Sequence, residues 1–328
     1  MKVPFVNFGE QYLQHKDEYD KVIQKCITSG KLILQEDLEK FEEDLADYLN
    51  VKYVVGVANG TDALMLSLKA LGIGEGDEVV TCSYTFRATI EAILHVGATP
   101  VLADIGEDWR LYKTAKTQAI IPCHIEGGTV DWIPDKDIYM VEDSCQAIGA
   151  KPLTGDTACY SFYPAKILGC LGDGGAIATD DEELAILLRR LRNHDKEEGE
   201  LVAYNSRLDN IQSAFLKVRL KYLNKILERR REIAQRYDEG LDRPVVVLPP
   251  REIYQDYIVR VPNPRALKNY LEEKGVQTML NGYPFPTGYR KGKETCLYEG
   301  QSLRLPCNET LTDKQVDYVI KKVKEFYA

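Results

Sequence analysis

The chain has 328 residues, 44% of them hydrophobic and 28% charged, a balance that excludes disordered and collagen-like chains and, at roughly 150 residues per domain, fits about two domains. Its 42 Lys and Arg against 51 Asp and Glu leave a net charge of −9, a field that repels phosphate backbones, so nucleic acid is not an expected partner. No run of about 18 apolar residues occurs, and the start MKVPFVNFGEQYLQ has neither a long apolar stretch nor a small-residue cleavage site, so neither a membrane span nor a signal peptide is expected.

The first 45 or so residues read as helical. Ser29-Gly30 closes one segment, and a second begins near Glu36 with Leu38, Phe41, Leu45 and Leu49 on one face. YVVGVA (53–58) then reads as a strand, followed by Asn59-Gly60-Thr61-Asp62 and the helical stretch ALMLSLKALG. EVVTCSYTF (78–86) is a strand entering a helix near Thr89–Val96, and TPVLADI (99–105), QAIIPCHI (118–125) and IYMVED (138–143) are short apolar strands. Such runs suit a sheet buried on both faces, which predicts a mainly parallel α/β core. The connections from Asp104 to Gln118 and from His124 to Ile138 are too short for a full helix and are expected to be loops. After CYSFYP (159–164) and GGAIATD (174–180) come a helix over Glu182–Arg192 and a long one over Leu208–Tyr237, basic on its exposed side at Arg229-Arg230-Arg231. RPVVVLPP (243–250) crosses into a smaller C-terminal unit with a strand, DYIVRV (256–261), a helix over Pro264–Lys274 and a last helix after Thr310. The domain boundary is expected near 235–245. Eight cysteines without a C-x-x-C pair, and only four histidines, suit a reducing, cytoplasmic setting and argue against a metal site.

Three local patterns carry chemistry. Lys166 follows the β-rich Ser161-Phe162-Tyr163 in a glycine-rich segment, where an apolar setting would lower its pKa and make it an amine nucleophile; most lone lysines are solvated. Val141-Glu142-Asp143-Ser144 ends a strand with acids, and ligands of open α/β sheets bind beyond the carboxyl ends of strands. Asp143 there would suit a protonated ring nitrogen, or it simply caps the next turn. Asn59-Gly60-Thr61-Asp62 opens a helix whose free amides favour a phosphate, though the same residues make an ordinary turn and N-cap. Ser161 is a second phosphate candidate, and Phe86 a ring to lie on a flat cofactor.

In this order, the patterns match a pyridoxal-phosphate aminotransferase of the aspartate-aminotransferase fold type. The chain resembles the sugar aminotransferases of the DegT/StrS type, through GVANGTDALMLSLKALGIGEGDEVVTCSYTFRATIEAI, GATPVLADI, AIIPCH, VEDSCQAIGA, SFYPAKILGCLGDGGAIATDDEEL, RLRNHD and YNSRLDNIQSAFLKVRLKYL. The resemblance implies a seven-stranded, mainly parallel sheet flanked by helices in a large domain (1–240) and a smaller α+β domain (241–328). It implies that Lys166 holds pyridoxal 5′-phosphate as an imine and later shuttles a proton, and that Asp143 pairs with the pyridine nitrogen. Gln146 would lie by the 3-hydroxyl and Phe86 would stack on the ring. Gly60, Thr61, Asp62 and Ser161 would hold the phosphate, and Asn205 would reach the phosphate of a neighbouring subunit, making a homodimer with a shared site. The implied reaction moves an amino group from an amino acid, glutamate, to a nucleotide-diphosphate keto sugar. Two alternatives use the same scaffold: a sugar dehydratase, whose family members replace the lysine by histidine, and a non-catalytic sensor. The chain departs from the family pattern at Gln35, at His124-Ile125-Glu126-Gly127 and at Gly282-Tyr283-Pro284-Phe285-Pro286-Thr287, all of which bear on the substrate side.

Overall fold

The computed structural model describes residues 1–130, 135–150, 154–247 and 251–328. Seven short strands, β1 (Tyr53–Val57), β2 (Glu78–Cys82), β3 (Thr99–Ala103), β4 (Thr117–Ile121), β5 (Tyr139–Asp143), β6 (Thr157–Ser161) and β7 (Gly175–Thr179), form one sheet in the order β1-β7-β6-β5-β4-β2-β3. All pairings are parallel except those of β7, which runs antiparallel to both β1 and β6. The strands read as continuous apolar runs because both faces are covered. On one face lie α1 (Phe8–Leu13), α2 (Lys16–Ser29) and α3 (Glu36–Leu49), with Leu38, Phe41 and Leu45 packed on Phe162 and Leu216. The other face carries α4 (Gly60–Ala70), α5 (Arg87–His95) and α6 (Glu182–Leu191), through Leu64, Leu68, Ile93 and Leu188. The two short connections hold one 3₁₀ turn each, Trp109–Tyr112 and Ile125–Gly127; residues 131–134 of the second lie outside the described residues.

The helix expected over Leu208–Tyr237 is two helices, α7 (Asn210–Lys221) and α8 (Leu223–Gly240), which meet at Tyr222 with φ −102° and ψ 0°. The Tyr222 ring stacks on His15 with centroids 3.6 Å apart and its hydroxyl bonds Glu18, so packing against the N-terminal helices fixes the bend. The basic face is corrected as well. Arg231 is exposed, but Arg230 is buried, because the helical period aligns it with Ile226, Ile233 and Tyr237 on the inner side.

A second, antiparallel sheet of β8 (Val246–Val247), β9 (Tyr257–Arg260), β10 (Met279–Leu280) and β11 (Ser302–Leu305) has the order β10-β11-β9-β8. RPVVVLPP enters this sheet at Val246; its residues 248–250 lie outside the described residues. Helices α9 (Pro264–Glu273), α10 (Lys293–Gly300) and α11 (Asp313–Tyr327) complete the unit. Leu267, Leu303, Val316, Val319 and Val323 share its core with Ile233 and Tyr237 of α8 and with Val3, so α8 serves both cores. Thr312 and Gln315 open α11 with a reciprocal capping box.

Candidate active site

The carboxyl ends of β1, β4, β5 and β6 meet the small sheet around one cavity of about 530 Å³. At its floor α4 begins. Asn59 caps the helix by accepting from the Asp62 N–H at 2.8 Å, and the first amides of the helix, at Gly60 and Thr61, have no intrahelical acceptor. A Cβ on Gly60 would come within 2.8 Å of both Cys145 Sγ and the Ser161 Cβ, so only glycine lets the helix start approach the end of β6 this closely. Amides, helix dipole and the Ser161 hydroxyl converge there on space suited to a phosphate.

Of the two acids ending β5, Asp143 reaches the cavity. Its Oδ2 accepts from Thr89 Oγ1 at 2.7 Å and its Oδ1 from the Cys145 N–H at 3.2 Å, which fixes the carboxylate while leaving acceptor capacity free. Glu142 alternates to the other face of the strand and is consumed by the Thr154 and Gly155 amides, each at 2.8 Å. The acidic end of the strand therefore presents a single charge to the cavity.

Lys166 lies on the loop between β6 and β7. Gln255 grips that loop on both sides of it, accepting from the Ile167 N–H at 3.2 Å and donating to the Ala165 carbonyl at 3.1 Å. Gly169 packs so tightly that a Cβ would sit 2.4 Å from the Pro164 carbonyl oxygen. Burial pushes the Lys166 amine below the ordinary lysine value, Cys145, Asp143 and Asp256 oppose that fall, and the Arg304 charge adds to it.

Phe86 caps the start of α5 and meets Tyr283 edge-on, ring centroids 5.2 Å apart. Gln146 lines the same cavity; its Oε1 accepts from the Glu126 N–H at 2.8 Å and its Nε2 donates to the Tyr283 hydroxyl at 3.4 Å. The cavity thus brings together Gly60, Thr61, Phe86, Asp143, Gln146, Ser161 and Lys166. Two other sequence candidates lie apart. Asp62 turns its carboxylate to the Ser206 hydroxyl, 2.6 Å away, and a second negative charge would repel a phosphate, so its part in the site is to complete the helix start. Asn205 is exposed and outside this cavity.

Sequence reasoning missed the wall opposite. Arg304 on β11 and Asp256 beside β9 line the cavity and pair at 3.0 Å, and Arg230 lines it too. Glu126, noted only as a departure, is fully buried with φ +61°. It accepts from Tyr84 and faces Arg251 at 3.4 Å; burial pushes its carboxyl up while Arg251, Arg304 and Tyr84 resist. A charged residue inside an apolar strand, as in Ser302-Leu303-Arg304-Leu305, was the available signal.

The residues present fit a phosphorylated pyridine aldehyde: an anion cradle, a fixed carboxylate, a desolvated amine and a flat-sided slot beside Phe86. A family model, the DegT/DnrJ/EryC1/StrS aminotransferase family, matches residues 13–324. The chain belongs to that family. Over its whole length it is 36% identical to a pleiotropic regulatory protein of Geobacillus stearothermophilus, 99% of which is covered. It is 35% identical, over 87% of each chain, to a UDP-2-acetamido-2-deoxy-3-oxo-D-glucuronate aminotransferase of Pseudomonas aeruginosa. The crystal structure of NtdA from Bacillus subtilis with bound cofactor PMP superposes with a TM-score of 0.89 at 28% identity, covering 99% of this chain and 85% of that one. Family and fold make the protein a pyridoxal-phosphate-dependent aminotransferase. Among the described residues no helix is long and apolar enough to cross a membrane, and no group of His, Cys, Asp and Glu is placed to hold a metal ion.

Proposed function

We propose that the protein is a cytoplasmic homodimer that transfers an amino group from L-glutamate to a nucleotide-linked keto sugar. The observation that carries this reading is the convergence of Lys166, Asp143 and the start of α4 on one cavity. A relative that acts on a UDP-linked 3-oxo sugar supports the acceptor class.

In this reading the Gly60 and Thr61 amides and the Ser161 hydroxyl hold the cofactor phosphate. Asp143, oriented by Thr89, would keep the pyridine nitrogen protonated, Gln146 would lie by the 3-hydroxyl and Phe86 would stack on the ring. When bound, the cofactor supplies an electron sink for the bond broken at the substrate carbon. Lys166 would take up the proton released there and return it later in the transfer, for which a lysine shifted toward its neutral form is suited. The intact lysine speaks against the dehydratase alternative. It speaks equally against a purely regulatory role, although one relative is named for regulation.

The dimer is supported by apolar side chains left exposed around the start of α7. Leu32, Ile33 and Leu171 remain open to solvent, while the Leu32 carbonyl bonds the Asn210 N–H, Ile33 bridges Asp209 and the Leu171 N–H bonds Gln212. A second copy covering them would make a dimer, in which the family resemblance implies that Asn205 reaches the partner's cofactor. The two-domain division at 240/241 belongs to the same proposal. Glutamate should bleach the visible absorption of the purified holoprotein, and one member of a panel of nucleotide-linked keto sugars should restore it. Bleaching that no keto sugar reverses would refute the acceptor class.

A further inference from the structure

Glu126, where the chain departs from the family pattern, sits in the single 3₁₀ turn Ile125–Gly127, fully buried and with φ +61°. Left-handed backbone is costly for a residue with a Cβ, so it persists only where the surroundings hold it. Here the side chain is held. Tyr84 donates to Oε1, Arg251 Nη1 and Nη2 each lie 3.4 Å from Oε2, and Arg304 Nη2 lies 3.7 Å from Oε1. Arg251 Nη1 also donates to the Glu126 carbonyl at 3.1 Å. Asn281 links the remaining ends, donating to the Tyr84 hydroxyl at 2.6 Å and accepting from Arg304 Nη2 at 2.6 Å. Asp256 pairs with Arg304 at 3.0 Å, so the guanidiniums of Arg251 and Arg304 are balanced by the carboxylates of Glu126 and Asp256.

The turn acts on the cavity through its backbone. The Glu126 N–H donates to Gln146 Oε1 at 2.8 Å. A backbone N–H can only donate, so the Gln146 atom facing it is the amide oxygen, and the orientation of the amide is settled. Gln146 Nε2 gives one hydrogen to the Tyr283 hydroxyl at 3.4 Å, and the second is unengaged among the described residues. The far side of the turn is blocked, since a Cβ on Gly127 would lie 2.4 Å from the Ile253 carbonyl oxygen. If the side chain let go, relaxation at Glu126 would fall on the peptide ahead of it, which carries the N–H that holds Gln146.

We infer that Glu126 is a positioning residue for the cofactor: its locked side chain holds the turn that aims the Glu126 N–H at Gln146, so that Gln146 presents an N–H, and not its carbonyl, to the cofactor's 3-oxygen. The inference rests on the reading above that places Gln146 by the 3-hydroxyl. Arg251, Asn281 and Arg304 come from beyond α8 and from the small sheet, so the seating of that sheet is relayed to the cofactor through one turn.

The test reads the visible band of the holoprotein against pH, without turnover. That band changes as the proton shared between the Lys166 nitrogen and the 3-oxygen is lost. The anion left on the oxygen then depends on the protein's donor, so losing the donor raises the midpoint. Gln146→Ala should raise it by about one pH unit or more, the scale of a hydrogen bond to a charged group. Glu126→Ala also unmasks the field of two arginines, which lowers the midpoint whether or not Gln146 is present, so a double-mutant cycle with Gln146→Ala is the measurement. Glu126→Ala should raise the midpoint by about half a pH unit or more relative to its effect in the Gln146→Ala background. Tyr84→Phe removes one anchor without changing charge; it should couple to Gln146 in the same direction, and it decides the matter should Glu126→Ala not fold. A merely structural Glu126 would lower the melting temperature of the variants but leave both cycles additive. Additivity within about 0.3 pH unit, with Gln146→Ala itself shifted, would overturn the inference alone. An unmoved midpoint in Gln146→Ala would overturn the placing of Gln146 and the inference together, and a wild-type protein that takes up no pyridoxal phosphate would overturn the aminotransferase reading beneath both.

Discussion

A lysine amine attacks an aldehyde only in its neutral form, and burial shifts Lys166 toward that form. The rate at which apoprotein captures pyridoxal phosphate should therefore rise with pH and level off below the ordinary lysine value. Borohydride trapping across a pH series followed by peptide mapping would measure this, and a midpoint at the ordinary value would show that Lys166 is solvated. Lys166→Ala should remove turnover while the protein still melts as a folded unit. Asp143→Asn keeps the Thr89 bond but not the charge, so turnover should fall roughly a hundredfold or more, the scale of losing one preorganised electrostatic contact, with little change in melting. Near-normal rates would reduce Asp143 to a cap. These two residues were legible in the sequence because Asp143 ends an apolar strand beside an acid and Lys166 lies in a glycine-rich loop just beyond another, where chemistry rather than packing selects the residue. Arg304 and Asp256 were not: they lie 48 positions apart, and only the pairing of β9 with β11 turns two isolated charges into a site.

Helix α10 lacks a cap of its own, because Gly292 has no side chain to supply one. Asp104, just beyond β3 on the large sheet, caps it from outside, accepting from the Glu294 N–H at 2.8 Å and from the Thr295 N–H and hydroxyl at 3.0 and 2.7 Å. Burial opposes its ionisation, but Thr295 and these amides hold the Asp104 carboxyl below the usual range. The glycine is required, since a Cβ at 292 would lie 2.0 Å from the Asp104 carboxyl carbon. Asp104→Ala should cost about 1–2 kcal/mol, as capping losses do, and should speed hydrogen exchange at Glu294 and Thr295 above all. Gly292→Ala should be damaging in wild type and much milder in the Asp104→Ala background; equal effects in both would mean that the two residues are not coupled. No pattern in the sequence announced this contact. The strands β1 to β6 were legible from their apolar runs, since a strand covered on both faces has nowhere to put a polar residue. Two-residue β10 carries no period, and the bend between α7 and α8 arises from Tyr222 packing on His15, a contact between residues some two hundred positions apart.

The same division between local and distant information holds for the whole molecule. Glu309, beyond β11, is buried against Arg219 of α7 and Arg230 of α8, both at 2.8 Å, and accepts from Gln11 of α1 at 3.0 Å, so one carboxylate ties the N-terminal helices, the central helices and the small sheet. Burial alone would raise its pKa, but the two arginines bring it down to about 2. A carboxyl depressed in this way adds stability above its unfolded value, near 4.5, and loses it as pH falls toward 2, a contribution of about 3 kcal/mol at neutral pH. Wild type should therefore lose stability steeply between pH 4.5 and 2, and Glu309→Gln should be less stable at neutral pH with a flatter acid profile; parallel profiles would exclude Glu309 as the cause. Assembly extends the argument beyond one chain. If Asn205 serves the partner's cofactor, Lys166→Ala and Asn205→Asp homodimers are each inactive, for different reasons. Refolding them together makes hybrids in which one site joins the wild-type lysine of one chain to the wild-type asparagine of the other, while the second site carries both defects. With random pairing, half the dimers are hybrids with one good site in two, so activity should return to about a quarter of wild type. Recovery requires subunit exchange, so mixing without refolding is the control. A refolded mixture that stays inactive would mean that each chain completes its own site and that Asn205 acts, if at all, within one subunit.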